Sequence, residues 1–279
     1  MNEQKINITC LQLELKKNNN FSLIQEKLYS FFENNNPDIV ALSELAVGGA
    51  GALKKEFYIE NFIEFFQSLA KEKQTWIIPG TFYEQTNNNI FNVAPVINSK
   101  GEIVTKAYKM FPWLPYEENV SLGNEMCIFD FPGFGKIGIH ICYDLWFPES
   151  ARMMALNGAL AIINPTLTPT IDREIETIMA RSTAAQQQLY YIDINSCGEQ
   201  GCGLSIAVNP DGEVLHESHN SEDIFNVELS NNKVLKSRKY GMFNLGQPLK
   251  SFRDHPLFEN SYKMDNEYLN SLGKLKKPE

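Results

Sequence analysis

The chain has 279 residues, 43% hydrophobic and 11% aromatic, enough for a large core and near the upper size that one core supports. Lys and Arg number 25 against 34 Asp and Glu, a formal net charge of −9. That balance argues against a nucleic-acid groove or an anionic membrane surface as partner, since both select for basic patches.

From the N-terminal end, "KINITCLQLEL" alternates as a strand and shows none of the zones of a signal peptide. The stretch "FSLIQEKLYSFFENNN" places Phe21, Ile24, Leu28, Phe31 and Phe32 on one helical face. A short buried strand, "PDIVALSEL", precedes an amphipathic helix, "YIENFIEFFQSLAKEKQ", and a further single strand, "TWIIPGTFYE". Two strands joined by a turn at Ser99–Gly101 follow in "FNVAPVINSKGEIVTKAYKM". Next comes "GKIGIHICYDLWFPES", an apolar strand that stops at a cysteine and meets an acid, aromatics and a proline. Helix, strand, helix and strand then succeed one another in "SARMMALNGA", "LAIINPT", "REIETIMARSTAAQQQ" and "LYYIDINSCG". A hairpin with Pro-Asp-Gly turn chemistry closes the series in "GLSIAVNPDGEVLHES". The pattern predicts an α/β fold of mixed sheets with helices outside, one domain over 1–279, with a polar C-terminal arm over 256–279.

No apolar run reaches the length of a membrane span. Five cysteines (Cys10, Cys127, Cys142, Cys197, Cys202) are an odd, sparse set that argues against a disulfide framework. The expected setting is cytoplasmic, with free thiols.

Cys142 stands where strand chemistry gives way to a turn, a place where α/β folds expose reactive groups. A nucleophilic thiol needs a base and an oxyanion donor. His140 shares its strand face, but residues two apart lie roughly 6.5–7 Å from each other, beyond direct hydrogen-bond reach. It reads as a core or pocket-wall histidine, and His216, His219 and His255 read as solvated groups in polar turns. Glu44, at the end of an apolar strand, suits a base whose pKa is raised by desolvation. Lys109, among Tyr108, Met110, Phe111 and Trp113, is poorly solvated unless it points into a polar pocket. Taken singly, each also fits a bland role: a buried apolar cysteine, a surface acid, a snorkelling lysine.

Together, "ALSEL", "KAYKMFPW" and "CYDLWFPE" resemble the nitrilase, or carbon–nitrogen hydrolase, superfamily, nearest its amidase-like branches. The later blocks "GALAIINPT", "ARSTAAQQQLYYIDINSCG" and "GLSIAVNPDGEVL" follow in the family's order. The resemblance implies a four-layer αββα sandwich, paired subunits forming a homodimer or larger assembly, and no cofactor or metal. It implies a triad of Glu44 as general base, Lys109 and the Tyr143 backbone N–H as oxyanion donors, and Cys142 as nucleophile. The spacing of Pro112, Trp113, Pro115 and Glu117 matches the amidase branch, which favours Glu117 over Glu118 as a second, positioning glutamate. The expected reaction releases ammonia from a linear carboxamide through a thioester; nitrile hydrolysis, decarbamoylation or a catalytically silent binding role remain open alternatives.

Weaker signals surround these residues. Asp144 and Glu149 are expected to orient the nucleophile turn, and Arg181 to pair with an acid inside the fold. The run Asn164–Pro169, with Thr166, is expected to line the substrate pocket, and the glycine-rich Val47–Leu53 to form its flexible lip. Cys197 and Cys202 read as loop thiols near the pocket rim, and Lys250 and Arg253 as ties between the tail and the body.

Overall fold

The computed structural model describes residues 3–49, 53–114, 116–258 and 267–274. Seven strands open the chain: β1 (Lys5–Gln12), β2 (Glu14–Leu15), β3 (Ile39–Leu42), β4 (Trp76–Ile78), β5 (Phe82–Thr86), β6 (Asn89–Ile97) and β7 (Ile103–Tyr108). Helices α1 (Phe21–Phe32) and α2 (Ile63–Lys73) connect the first of them. Then follow β8 (Cys127–Phe131), β9 (Gly135–Ile139), α3 (Pro148–Leu156), β10 (Ala161–Pro165), α4 (Arg173–Gln187), β11 (Tyr190–Ile194) and β12 (Cys197–Gly198). The chain continues through β13 (Ile206–Val208), β14 (Val214–Glu217), β15 (Asp223–Ser230), α5 (Asn231–Tyr240), α6 (Pro248–Arg253) and α7 (Glu267–Ser271).

The strands form two principal sheets. One runs β15-β1-β3-β4-β6-β5, with β7 on β6; the other runs β14-β13-β11-β10-β9-β8. β1 is parallel to β3 and antiparallel to β15, with Leu11 opposite Leu42 and Ile224. In the second sheet β10 is parallel to both β9 and β11, so three strand ends point the same way.

Burial sorts the side chains into four layers. Ile8, Cys10 and Ile39 of the first sheet meet Phe129, Ile139 and Ile163 of the second in one apolar layer. The other face of the first sheet packs Leu11, Val40 and Ile77 against Ile24 and Leu28 of α1 and Phe66 of α2. The other face of the second packs Ile162 and Tyr191 against Met154 of α3 and Ala180 and Ala184 of α4. Strands covered on both faces read as continuous apolar runs, which is why "LAIINP" shows no alternation. Truncating Ile163 to Ala in this layer would cost roughly 2–5 kcal/mol.

Several expected elements differ in detail. "TWIIPGTFYE" is two strands, β4 and β5, because Pro79 and Gly80 break the run. Gly80 has φ +78°, and a Cβ there would lie 2.0 Å from the Ser43 carbonyl oxygen, so only glycine passes beside the strand end that presents Glu44. β8 and β15 carry no expectation from the sequence; β15 edges the first sheet. His216 lies in β14, half-buried, stacked on Phe225 and 2.8 Å from Asp223. It is not a solvated turn residue, whereas His219 and His255 are exposed. Cys197 is buried in β12, away from any rim. Arg181 is exposed and donates to the Gly212 carbonyl at 2.8 Å; among the described residues no acid pairs with it. Within the expected arm, residues 259–266 and 275–279 lie outside the described residues. Lys250 is buried against the Lys239 carbonyl, and Arg253 donates to the carbonyls of Leu269 and Gly273, tying α7 to the body. Among the described residues no helix is long and apolar enough to cross a membrane.

Candidate active site

Three loops converge where the two sheets meet. Glu44 follows β3, and its backbone N–H donates to the Thr166 carbonyl after β10 at 3.2 Å, which joins the sheets at this point. Lys109 follows β7; its N–H donates to the Asn92 carbonyl at 2.9 Å. Cys142 opens a short 3₁₀ turn, Cys142–Trp146, after β9.

Lys109 is buried and its ammonium is held by two carboxylates, 2.9 Å from Glu44 Oε1 and 2.7 Å from Glu117 Oε2. Asn92 Nδ2 donates to Glu44 Oε1 at 2.8 Å and to Glu117 Oε1 at 3.3 Å. Glu117 also accepts from the Trp113 N–H at 2.6 Å and the Tyr83 hydroxyl at 3.3 Å. Glu118 is exposed.

This unequal donor set splits the two acids. Burial pushes the Glu44 carboxyl above its ordinary value, only partly opposed by the Lys109 charge. The Cys142 thiol donates to the Leu167 carbonyl at 3.9 Å. Burial also works against ionised Glu117, but the Lys109 charge and the surrounding donors hold it below the ordinary range. Burial alone would depress Lys109, yet the charges around it keep the ammonium well above its usual value. Two carboxyls driven apart in this way form one permanent anion and one proton acceptor.

Cys142 adopts φ +48°, a left-handed backbone that a β-carbon makes costly. Asp144 pins that turn: its Oδ2 accepts from the Ile141 N–H and its Oδ1 from the Phe111 N–H, both at 2.9 Å, which ties it to the loop after Lys109. Burial pushes the Asp144 carboxyl up to about 7 against the pull of those N–H groups. Burial, with the charge of Glu44 adding to it, raises the thiol well above its ordinary value in the resting protein. The Tyr143 N–H stands in the first turn, where helical N–H groups lack intrahelical acceptors. His140 is fully buried, its Nδ1 3.0 Å from the Tyr191 hydroxyl, and desolvation lowers its pKa to about 3. It is a neutral core histidine.

A cavity of about 30 Å³ opens on Cys142, bounded by Trp113, Tyr143, Leu167, Thr168, Asp172 and Glu176 among others. That is room for two or three water-sized groups. Of the anticipated pocket residues, Trp113 and Tyr143 are on its wall. Thr166 is not: it is buried behind the wall, holding Glu44 through its carbonyl, while Leu167 and Thr168 face the thiol. Glu149 is exposed in the first turn of α3 and supplies none of the hydrogen bonds that hold the nucleophile turn. Val47, Gly48 and Gly49 are buried rather than forming a lip, and residues 50–52, with Pro115 of the amidase-branch motif, lie outside the described residues. Cys202 is half-buried, 3.2 Å from the Thr168 carbonyl, and lines a neighbouring cavity with Arg173, Leu204 and His219 instead of the Cys142 cavity.

The sequence reading passed over Asn92, Tyr83 and a second buried ion cluster, Arg173 with Glu176 and Asp193. A polar residue inside an apolar strand run, as in "IFNVAPVI" or "YYIDI", was the available signal. Among the described residues no group of three or more His, Cys, Asp or Glu could hold a metal ion.

A family model described as carbon-nitrogen hydrolase matches residues 7–239. A protein described as hydrolase in agr operon, from Staphylococcus lugdunensis, is 29% identical over 217 residues, 74% of this chain and 93% of that one. A formamidase from Nitratidesulfovibrio vulgaris is 30% identical over 196 residues, covering 65% of this chain and 58% of its own length. The crystal structure of Saccharomyces cerevisiae Nit3, of the nitrilase superfamily, superposes with a TM-score of 0.76 at 25% identity over 84% of this chain and 93% of that one. An amidase from Nesterenkonia sp. AN1 shares the fold at a TM-score of 0.73 and 18% identity, over 84% of this chain and 94% of that one; its variant structure shows covalent addition of the acetamide moiety of fluoroacetamide at the active-site cysteine. The chain belongs to the carbon–nitrogen hydrolase family and is a hydrolase of non-peptide carbon–nitrogen bonds.

Proposed function

We propose that the protein hydrolyses short linear carboxamides to the carboxylic acid and ammonia, with Cys142 as nucleophile. The observation that carries this reading is the Lys109 ammonium clamped by Glu44 and Glu117, next to a Cys142 thiol whose ionisation both the Glu44 and the Lys109 charges act on. Glu44 takes the thiol proton as sulfur attacks the carbonyl carbon. The oxyanion that forms is met by Lys109 Nζ and the Tyr143 N–H. The carbon–nitrogen bond breaks as Glu44 returns the proton to the leaving nitrogen, and ammonia departs from a Cys142 thioester. Glu44 then deprotonates a water that attacks the thioester, and the acid leaves as the thiol is restored. Glu117 is a positioning residue: ionised throughout, it fixes Lys109. The formamidase and amidase relatives support the amide class over nitriles and carbamoyl compounds.

Ammonia release from formamide, acetamide, a nitrile and an N-carbamoyl amine tests this. Amide turnover that disappears in Cys142→Ala is expected; silence toward amides with turnover of either other class would reassign the reaction. The resemblance also supports paired subunits, and the exposed Ile175 and Ile178 of α4, with Ile171 just before it, offer apolar surface for them. Light scattering reads that pairing directly.

A further inference from the structure

The Cys142 cavity is bordered by a second ion cluster that the reaction above does not use. Glu176 and Asp172 stand on its wall. Glu176 is buried; its Oε1 accepts from Trp146 Nε1 at 3.2 Å and its Oε2 lies 3.1 Å from Arg173 Nη1. Arg173, fully buried, divides that same Nη1 with Asp193 at 3.0 Å and gives its Nη2 to the Leu204 carbonyl at 2.8 Å. Lys109 is divided in the same way between Glu44 and Glu117. Around the thiol, therefore, each buried cation already serves two carboxylates. Asp172, half-buried, adds a further negative charge whose side chain, among the described residues, is engaged by the neutral Thr170 hydroxyl alone. Among the described residues that line the cavity none is Lys or Arg. Moving the Cys142 proton to Glu44 leaves this excess of negative charge unchanged.

We infer that the pocket selects its substrate by charge: a short carboxamide with a cationic far end is preferred over a neutral one of the same length, and one ending in a carboxylate is excluded. This rests on the amide-hydrolase reading of the same site. Asp172 and Glu176 line the same cavity as Cys142, so a short substrate with its amide carbon at the thiol carries its far end along the wall that holds them. A carboxylate arriving there is desolvated and finds no uncommitted cation, while walls of low dielectric lengthen the reach of the like charges. An ammonium meets two carboxylates instead. The same field acts on the nucleophile, since Glu176 adds to the charges that oppose ionisation of Cys142. A cationic substrate offsets that field and eases formation of the thiolate that attacks it.

Two readouts test the inference. The first is kcat/KM for 3-aminopropanamide, butanamide and succinamate, which match in length and differ in terminal charge. The expected order is cation, neutral, anion, each step about tenfold or more. In Glu176→Gln and in Asp172→Asn the spread narrows; Asp172→Asn leaves the Arg173 cluster intact and guards against a folding defect. The second readout needs no hydrolysis: the rate at which Cys142 is modified by 2-aminoethyl and 2-sulfonatoethyl methanethiosulfonate, in a Cys202→Ser background that removes the other half-exposed thiol. The cationic reagent is expected to react at least about tenfold faster, again less so in the two variants. Turnover of all three amides at similar rates, with the two reagents equal, would overturn the charge selection and leave the hydrolase standing. No ammonia from any amide, with the cationic reagent still favoured, would remove the hydrolase reading and the substrate assignment with it.

Discussion

The site holds two ion clusters of the same form, a buried cation between two carboxylates, built on different cations. In one, Lys109 lies between Glu44 and Glu117; in the other, Arg173 lies between Glu176 and Asp193. An ammonium is a compact charge on a flexible stem, able to turn a proton toward a new anion, whereas guanidinium is a planar fork fixed by several acceptors at once. Arg173 spends Nη1 on both its acids and Nη2 on a backbone carbonyl, so it is committed to structure. Lys109 faces a glutamate whose pKa is raised and lies close enough to the thiol to act on its ionisation, so its partner changes charge during the proposed reaction. The lesson is that a buried ion pair becomes chemical when one member can give up its charge.

The strongest way to break this contrast is to remove each cation. Lys109→Met is expected to lower kcat/KM by about 10²–10³-fold or more, the loss associated with an oxyanion donor. It also strands two buried acids, so unfolding should come at lower denaturant. Arg173→Met is expected to act first on stability, costing about 3–5 kcal/mol because Glu176 and Asp193 lose their partner. For a chain of this size that lowers Tm by on the order of 10 °C. Steady-state turnover and thermal melts of the two variants measure both effects. A stability loss without an activity loss at Lys109 would erase the distinction.

The pH dependence of stability sharpens it further. Glu117 is held below its usual value in the fold, so it contributes stability that is present above about 4.5, the unfolded value, and is lost as pH falls through the lower folded one. Glu176 runs the other way: burial, then the charge of Asp193, raise it. The folded state then binds its proton more tightly than the unfolded chain, and stability declines as pH rises from about 4.5 through that raised value. Denaturant midpoints across the acid-to-neutral range are expected to lose part of their acid limb in Glu117→Gln. In Glu176→Gln the decline toward neutrality should flatten. The same sign in both variants would mean that the clusters titrate alike.

The Lys109 cluster was legible in the sequence and the Arg173 cluster was not, for a physical reason. Glu44 and Cys142 follow apolar strands and Lys109 a mixed one, and a strand end is a break in pattern that a reader can see. Arg173 and Glu176 lie three apart on a helix, where a charged pair usually means a solvated face. What buries them is β11 and the loop at Leu204, brought there by the sheet order and not by neighbours in sequence. Asp193 and Asn92 stand in apolar runs as polar exceptions, but their partners come from elsewhere in the chain, Arg173 of α4 for one and Glu44 and Glu117 for the other. Thr166 was placed in the right segment and given the wrong surface, because its backbone carbonyl serves Glu44 while Leu167 and Thr168 turn to the cavity. Mixed sheets with helices outside followed from periodicity and the four layers from the family resemblance; the strand order and the division of β4 from β5 did not, since one Pro-Gly pair interrupts a run that otherwise reads as a single strand.

The smallest expected effect separates two adjacent acids that composition cannot tell apart. Glu117 is buried against Lys109, Asn92, Tyr83 and the Trp113 N–H, and Glu118 points to solvent. Glu118→Gln removes a solvated charge and should stay within about 0.5 kcal/mol of the parent in stability. Its kcat/KM should lie within about twofold of the parent, since at roughly a Debye length surface charges are largely screened. Glu117→Gln keeps the size of the side chain but takes away the anion that holds the ammonium, so kcat should fall while KM moves little. Equal effects at both positions would mean that the acidic loop acts through its overall charge, and the specific contact between Glu117 and Lys109 would then lose its place in the mechanism.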